Sequence, residues 1–186
     1  EAIERIEEIS KKEGLSGVPS GFTKVDRVTA GWQPSDLIIL AARPGMGKTA
    51  FVLSMARNMA IDHNRPVAVF SLEMGAGQIV KSMLAAVTDV HMNAITKGRM
   101  QEHEFIQMTQ RMNKLAGAQI FLDDQAALNI FELRAKARRL KQKHDIQLII
   151  IDYLQLMQAS IERGGNREQE ISKISRDLKA LAKELD

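Results

Sequence analysis

Lys48 and Thr49 stand directly behind two glycines in the string Ala41-Ala42-Arg43-Pro44-Gly45-Met46-Gly47-Lys48-Thr49-Ala50. A turn through two glycines can point several backbone N–H groups at one phosphate, because glycine takes up conformations that side chains resist. Lys48 adds a mobile cation for the outer phosphates of a nucleoside triphosphate, and Thr49 offers a hydroxyl to magnesium. The apolar run at residues 37–42 ahead of the turn and the amphipathic segment after it complete a P-loop layout of strand, phosphate cradle and helix N-terminus. The expected nucleotide contacts are Arg43, Pro44, Gly45, Met46, Gly47, Lys48, Thr49 and Ala50. Ala42 occupies the first position of the usual G-x-x-x-x-G-K-[ST] pattern. Ala is the mildest replacement for Gly there, so the departure touches the pattern more than the physics.

Asp152 follows four apolar residues, Leu148, Ile149, Ile150 and Ile151. Such a strand delivers a carboxylate beside a phosphate cradle, where it holds magnesium, often through water. Glu73 stands just past another expected strand, at residues 67–71. In parallel α/β sheets, ligands bind outside the carboxyl ends of the strands. Glu73 therefore faces either the γ-phosphate side, where it would polarise an attacking water, or plain solvent; position alone leaves both open.

The elements that must position these residues follow from pattern. The 186 residues are 45% hydrophobic and 26% charged, enough for one domain with its own core. The net charge of +3 permits a nucleic-acid partner without indicating one. Absence of cysteine excludes disulfides and thiolate metal sites, and His63, His91, His103 and His144 are too scattered for a metal cluster. An acidic N-terminus without a signal-peptide core, and no apolar run of spanning length, give the expectation of a soluble cytoplasmic protein without a membrane partner.

Residues 1–10 form an expected amphipathic helix with Ile3, Ile6 and Ile9 on one stripe, too short to stand without docking. Gly- and Pro-rich turns fill residues 14–36, around one short helix at 23–28. Strands are expected at 37–42, 67–71, 119–122 and 147–151, the last buried on both faces. Helical spacing places helices at 48–62, through Ile79, Val80, Met83, Leu84 and Val87, and through Phe105, Met108, Met112 and Leu115. Asn129 with Glu132 forms a capping-box variant ahead of Ile130, Leu133, Ala137 and Leu140. The opposite face of that helix carries Arg134, Lys136, Arg138, Arg139, Lys141 and Lys143; its pattern favours a solvated face over a nucleic-acid contact. A final helix carries Ile171, Ile174, Leu178, Leu181 and Leu185. Alternating strands and helices imply an α/β fold, a parallel sheet flanked by helices on both faces.

Several strings occur collinearly over nearly the whole chain. They are Gly17-Val18-Pro19-Ser20-Gly21-Phe22 with Asp26, Thr29 and Gly31, then residues 41–49, then Ser71-Leu72-Glu73-Met74. Glu132-Leu133-Arg134-Ala135-Lys136-Ala137-Arg138-Arg139 and Asp152-Tyr153-Leu154-Gln155-Leu156-Met157 follow. On these the chain resembles the C-terminal ATPase domain of DnaB-type replicative DNA helicases, which are RecA-like motors. The resemblance implies a RecA-like P-loop NTPase domain over residues 14–186, incomplete at its C-terminal end. Residues 1–13 would be a linker helix that docks on a neighbouring subunit.

The resemblance further implies a homo-hexameric ring that hydrolyses ATP with magnesium at its ATPase interfaces, translocates on single-stranded DNA and unwinds duplex. Primase and a helicase loader are the implied protein partners. Residue by residue, Lys48 and Thr49 bind phosphate and metal, Glu73 is the catalytic base with Lys48 beside it in the catalytic set, and Asp152 is the Walker B acid. The loop at 158–167, with Arg163, Gly164, Gly165 and Arg167, matches one that faces the central channel. The family pattern continues past Asp186 into a strand with a γ-phosphate-sensing Gln, then DNA-contacting loops and an arginine finger, none of them in this sequence. The strand that would separate residues 37–42 from 148–151 is therefore missing. Those two runs are expected not to pair with each other, and the isolated chain is expected to be inactive. Two other readings compete: another RecA-like ATPase of recombinase or clock type, and a nucleotide-binding or assembly module without turnover.

Overall fold

The sheet is built on five residues with nothing polar before the last. Val67–Ser71 (β1), Val-Ala-Val-Phe-Ser, is buried at every position. In the computed structural model, which describes residues 15–88, 90–157 and 167–186, β1 pairs in parallel with Ile120–Asp123 (β2) and Leu148–Asp152 (β3), giving the order β2-β1-β3. The register sets Phe70 against Asp123 and Ser71 against Asp152. The three strands thus end together, and their carboxyl ends form one rim.

The described helices, in chain order, are α1 (Thr23–Thr29), α2 (Lys48–Asp62), α3 (Ala76–Thr88), α4 (Met92–Lys97), α5 (Glu102–Ala116), α6 (Ile130–His144) and α7 (Arg167–Leu185). The two-residue period of β1 sends alternate side chains to opposite faces. Val67 and Val69 pack with Leu53, Ala56 and Met59 of α2 and Ile79 and Met83 of α3. Ala68 and Phe70 pack with Leu133 and Ala137 of α6 and Ile174, Leu178 and Leu181 of α7. Helices therefore cover both faces, as the alternation of elements implies. Phe70 is buried among the second set, and truncating a ring so placed costs about 3–5 kcal/mol.

Residues 15–36 clamp α2 from outside. Val18 and Trp32 form an antiparallel bridge, and the buried Asp26 accepts the Ser20 N–H at 2.7 Å. Phe22 stacks on Phe51 of α2, centroids 4.7 Å apart. Gly21 sits at φ 76°, and a Cβ there would meet the Asn58 Cβ at 2.3 Å. Glycine is needed on both counts, and the Gly21 carbonyl accepts from the Asn58 amide at 3.1 Å.

Two sequence expectations are corrected. Residues 37–42 belong to no strand of the described sheet. Ile38, Ile39 and Leu40 stay 43%, 64% and 44% exposed, while Leu37 packs at the core edge. An apolar run has a strand's pattern, but a strand needs a neighbour's N–H and C=O groups; both edges of β1 are taken, and β3 does not pair with this run. The second correction concerns β3, expected to be buried on both faces. Among its residues only Ile150 and Asp152 are buried, because β3 lies at the sheet's edge rather than its centre.

The expected helix at 1–10, the linker region 1–13 and most of the loop at 158–167 lie outside the described residues. Arg167 is described: it opens α7, donates to the Gln155 carbonyl and pairs with Glu170. The basic face of α6 is largely structural. Arg134 and Arg138 meet Glu184 of α7, Lys136 bonds Asp123 and Gln125, and Lys141 meets Asp145. No helix among the described residues is long and apolar enough to cross a membrane.

Candidate phosphate and metal site

The N-terminus of α2 begins on a residue without a side chain. Gly47 is the N-cap at φ 83°, and Gly45 lies at φ 77°. A Cβ at either would meet no atom within 4 Å, so left-handed backbone, which costs other residues roughly 1–2 kcal/mol, rather than crowding calls for glycine. The helix has no side-chain cap and no acidic residue in its first turn. The first N–H groups of a helix lack intrahelical partners and carry the positive end of its dipole. Arg43, Pro44, Gly45, Met46 and Gly47 form an exposed turn, closed by the Met46 N–H on the Arg43 carbonyl at 3.3 Å. Ala50 is exposed in the first helical turn. An anion would find oriented donors here and no competing carboxylate on the helix itself.

Thr49 ties this turn to the sheet rim. Its Oγ1 donates to the Asp152 carboxylate at 2.7 Å, across 103 positions of sequence, and Asp152 is 7% exposed. Lys48 reaches the same corner: its Nζ stands 5.1 Å from the centroid of the Tyr153 ring, within cation–π range. A hydroxyl and a carboxylate in contact form a hard-oxygen pair suited to magnesium, which keeps several waters and takes one or two protein ligands plus phosphate oxygens. Among the described residues no group of three or more His, Asp or Glu could hold a metal, so an all-protein cage is not on offer there.

Glu73 lies on the same rim, two residues past β1, and is exposed. Among the described residues its carboxylate touches neither Lys48 nor Asp152; the sheet brings their backbones together instead. The Leu72 N–H donates to the Asp152 carbonyl at 2.8 Å. The Ser71 hydroxyl donates to the Met74 carbonyl at 2.8 Å and accepts the Met74 N–H at 3.1 Å. Beside this loop a cavity of about 280 Å³ runs between α2 and α3, lined by Thr49, Ala50, Arg57, Met74 and Met83 among others.

Sequence reading thus placed Lys48, Thr49, Asp152 and Glu73 on one rim, and the fold brings Thr49 and Asp152 into contact. It assigned no role to Tyr153, Ser71 or Asp124. Tyr153 adjoins Asp152, but nothing local says that a lysine 105 positions earlier would rest on its ring. The Ser71 hydroxyl carries a local signal, since Ser three residues before its partner often bonds that backbone.

The family model of the DnaB-like helicase C-terminal domain matches residues 17–186. The chain is similar to the replicative DNA helicase DnaC of Bacillus subtilis (strain 168), 45% identical over 186 residues, which is all of this chain and 41% of that relative. Among solved structures it is similar to a helicase-type ATPase domain, with a TM-score of 0.91 and 34% identity over all of this chain and 66% of that one. It is also similar to a DnaB-like replicative helicase studied with its primase interactions, with a TM-score of 0.90 and 33% identity over 99% of this chain and 46% of that one. The chain spans about two-fifths of the length of the curated relative it matches.

Proposed function

This chain belongs to the family of DnaB-like helicase C-terminal domains, and we propose that it is the motor of a replicative DNA helicase, coupling Mg-ATP hydrolysis to movement along single-stranded DNA and unwinding of duplex. The observation that carries the reading is the hydrogen bond from Thr49 to Asp152. It joins an uncapped helix start, built for phosphate, to a buried acid at a strand end.

In this reading the triphosphate lies across the turn from Arg43 to Ala50, on the N–H groups of α2. Lys48 leaves the Tyr153 ring for the outer phosphates, exchanging a cation–π contact for charge-assisted hydrogen bonds of roughly twice the strength of neutral ones. Thr49 and Asp152 would hold magnesium, which supplies charge neutralisation on the phosphates. Glu73 orients and deprotonates the attacking water from the neighbouring strand end.

The motor works as a homo-hexamer in the cytoplasm, with residues 1–13 as the linker helix and residues 14–186 as the ATPase domain. Val80 on α3 and Phe105, Ile106 and Met112 on α5 are exposed apolar groups, which supports contacts between subunits. Primase is a partner on the strength of the structural relative studied with it; a helicase loader follows from the family alone.

Glu73→Gln tests the catalytic half of the reading. In the full-length protein it should leave ATP binding near wild type and slow hydrolysis by about 10²–10⁴-fold. Hydrolysis at the wild-type rate would make Glu73 a bystander. A second reading, that this chain alone binds nucleotide without turnover, is favoured by the unpaired run at 37–42. Turnover by the 186-residue chain at the rate of the full-length protein would remove it.

A further inference from the structure

We infer that the Ser71 hydroxyl and the Asp124 carboxylate are positioning residues for Glu73, holding the loop that carries it in register with Asp152. The inference rests on the reading of Glu73 as the base. Glu73 is exposed and has no hydrogen-bond or ion-pair partner among the described residues. Nothing in its own side-chain contacts fixes where its carboxylate goes, so the backbone beneath it must do so.

That backbone is held at three points. Upstream, the Leu72 N–H reaches the Asp152 carbonyl at 2.8 Å, carrying the β1–β3 pairing one residue past the strand. Around Glu73 itself, Ser71 closes a ring. It is 3% exposed, and its single hydroxyl both donates to the Met74 carbonyl and accepts from the Met74 N–H. Both bonds pass over Glu73. Downstream, the Ala76 N–H at the start of α3 donates to the Asp124 carboxylate at 2.8 Å, from 48 positions further along the chain. Asp124 directly follows β2.

A helix start is ordinarily capped by the residue just before it. Here the cap comes from the end of another strand. A local cap would satisfy the same N–H group without fixing the loop relative to the sheet; a cap from beyond β2 does both. The loop bearing Glu73 is therefore anchored to β3 on one side and to the end of β2 on the other. A general base must stand about 2.6–3.2 Å from the water it activates, so this anchoring sets a rate and not only a fold.

The test measures kcat and KM for ATP in the full-length protein carrying Ser71→Ala, Ser71→Thr, Asp124→Ala or Glu73→Gln. Ser71→Ala should lower kcat by on the order of 10²-fold, the cost of roughly an ångström of misplacement, with KM unchanged. Ser71→Thr keeps the hydroxyl and should recover most of the loss. Asp124→Ala, at an exposed position, should lower kcat several-fold, again without moving KM. Wild-type kcat in both Ser71→Ala and Asp124→Ala would overturn the inference. So would a rise in KM matching the fall in kcat, since that marks general damage to the site. If Ser71→Ala does not fold, Asp124→Ala decides alone. Glu73→Gln separates the two levels. Wild-type turnover in that variant sinks the base and the inference with it. An inactive Glu73→Gln beside a normal Ser71→Ala sinks the inference only.

Discussion

Helices α2 and α6 are both 15 residues long and pack on opposite faces of the same sheet, yet they begin in opposite ways. At α6, the Asn129 carboxamide oxygen accepts from the Phe131 N–H at 2.9 Å and the Glu132 N–H at 3.0 Å. Glu132 reaches back to the Asn129 N–H and adds an acid to the first turn. At α2, Gly47 offers no side chain and the first turn holds no acid. A cap contributes about 1 kcal/mol, so α2 forgoes a stabilisation that α6 takes. The difference does not concern forming a helix, since both form. It concerns what completes the start: α6 is finished by its own chain, while α2 is left to be finished by an anion. An uncapped start facing a buried acid at a strand end is the combination that marks a ligand.

The most severe break in this contrast is removal of the cation at the open end. Lys48→Ala should abolish productive ATP binding, because each charge-assisted hydrogen bond contributes about 1.5–3 kcal/mol and Lys48 should make more than one. Calorimetric titration of the full-length protein with a non-hydrolysable ATP analogue measures this, and unchanged affinity would remove Lys48 from the site. Ala50→Glu makes α2 resemble α6 by placing an acid in its first turn. It should stabilise the helix by about 0.3–1 kcal/mol while weakening triphosphate binding by about 1–4 kcal/mol of repulsion. The same titration with a thermal melt reads both signs; tighter binding would contradict the anion role.

Asn129→Ala makes the converse change. It should cost about 1 kcal/mol, a fall in Tm of about 2–4 °C for a chain of this size, and leave nucleotide affinity untouched. A loss of affinity in this variant would mean that the two helix starts are not independent.

The smallest effect lies at the far end of the capped helix. The hydrogen bond from Arg138 holds the Glu184 carboxyl below its usual value, against a weaker opposing effect of burial, and raises the Arg138 guanidinium in turn. A lowered carboxyl contributes stability that is present above its ordinary value of 4.5 and is lost as pH falls through the lowered one. The Tm difference between wild type and Glu184→Gln should therefore be small at neutral pH, where the pair is exposed and screened, and should vanish in acid. A difference that grows on acidification would give the pair the wrong sign.

Much of both helix starts was legible in the sequence. Asn129 with Glu132 specifies a cap through bonds spanning three residues, and Gly45-Met46-Gly47-Lys48-Thr49 specifies an open start through left-handed backbone and adjacent side chains. Both depend on groups a few positions apart, which is why pattern suffices. The run at 37–42 shows where pattern stops. Its residues have the apolarity of a strand, but a strand is a relation between two segments, and the described sheet supplies it no neighbour. The full burial expected of β3 failed for a related reason, because Leu148, Ile149 and Ile151 are as apolar at a sheet edge as they would be at its centre.

By itself the sequence determined the turn chemistry, the helix faces, the caps and the identity of the groups that can meet a triphosphate, since each follows from local sterics and short-range hydrogen bonds. Only the tertiary structure decided that β1 lies between β2 and β3, that Ser71 stands opposite Asp152, that Thr49 bonds a carboxylate 103 positions away, and that the loop bearing Glu73 is tied to two strands at once. Those relations come from closing long loops around a shared core. The free energy of doing so is spread over many apolar contacts, and no short stretch of sequence carries it.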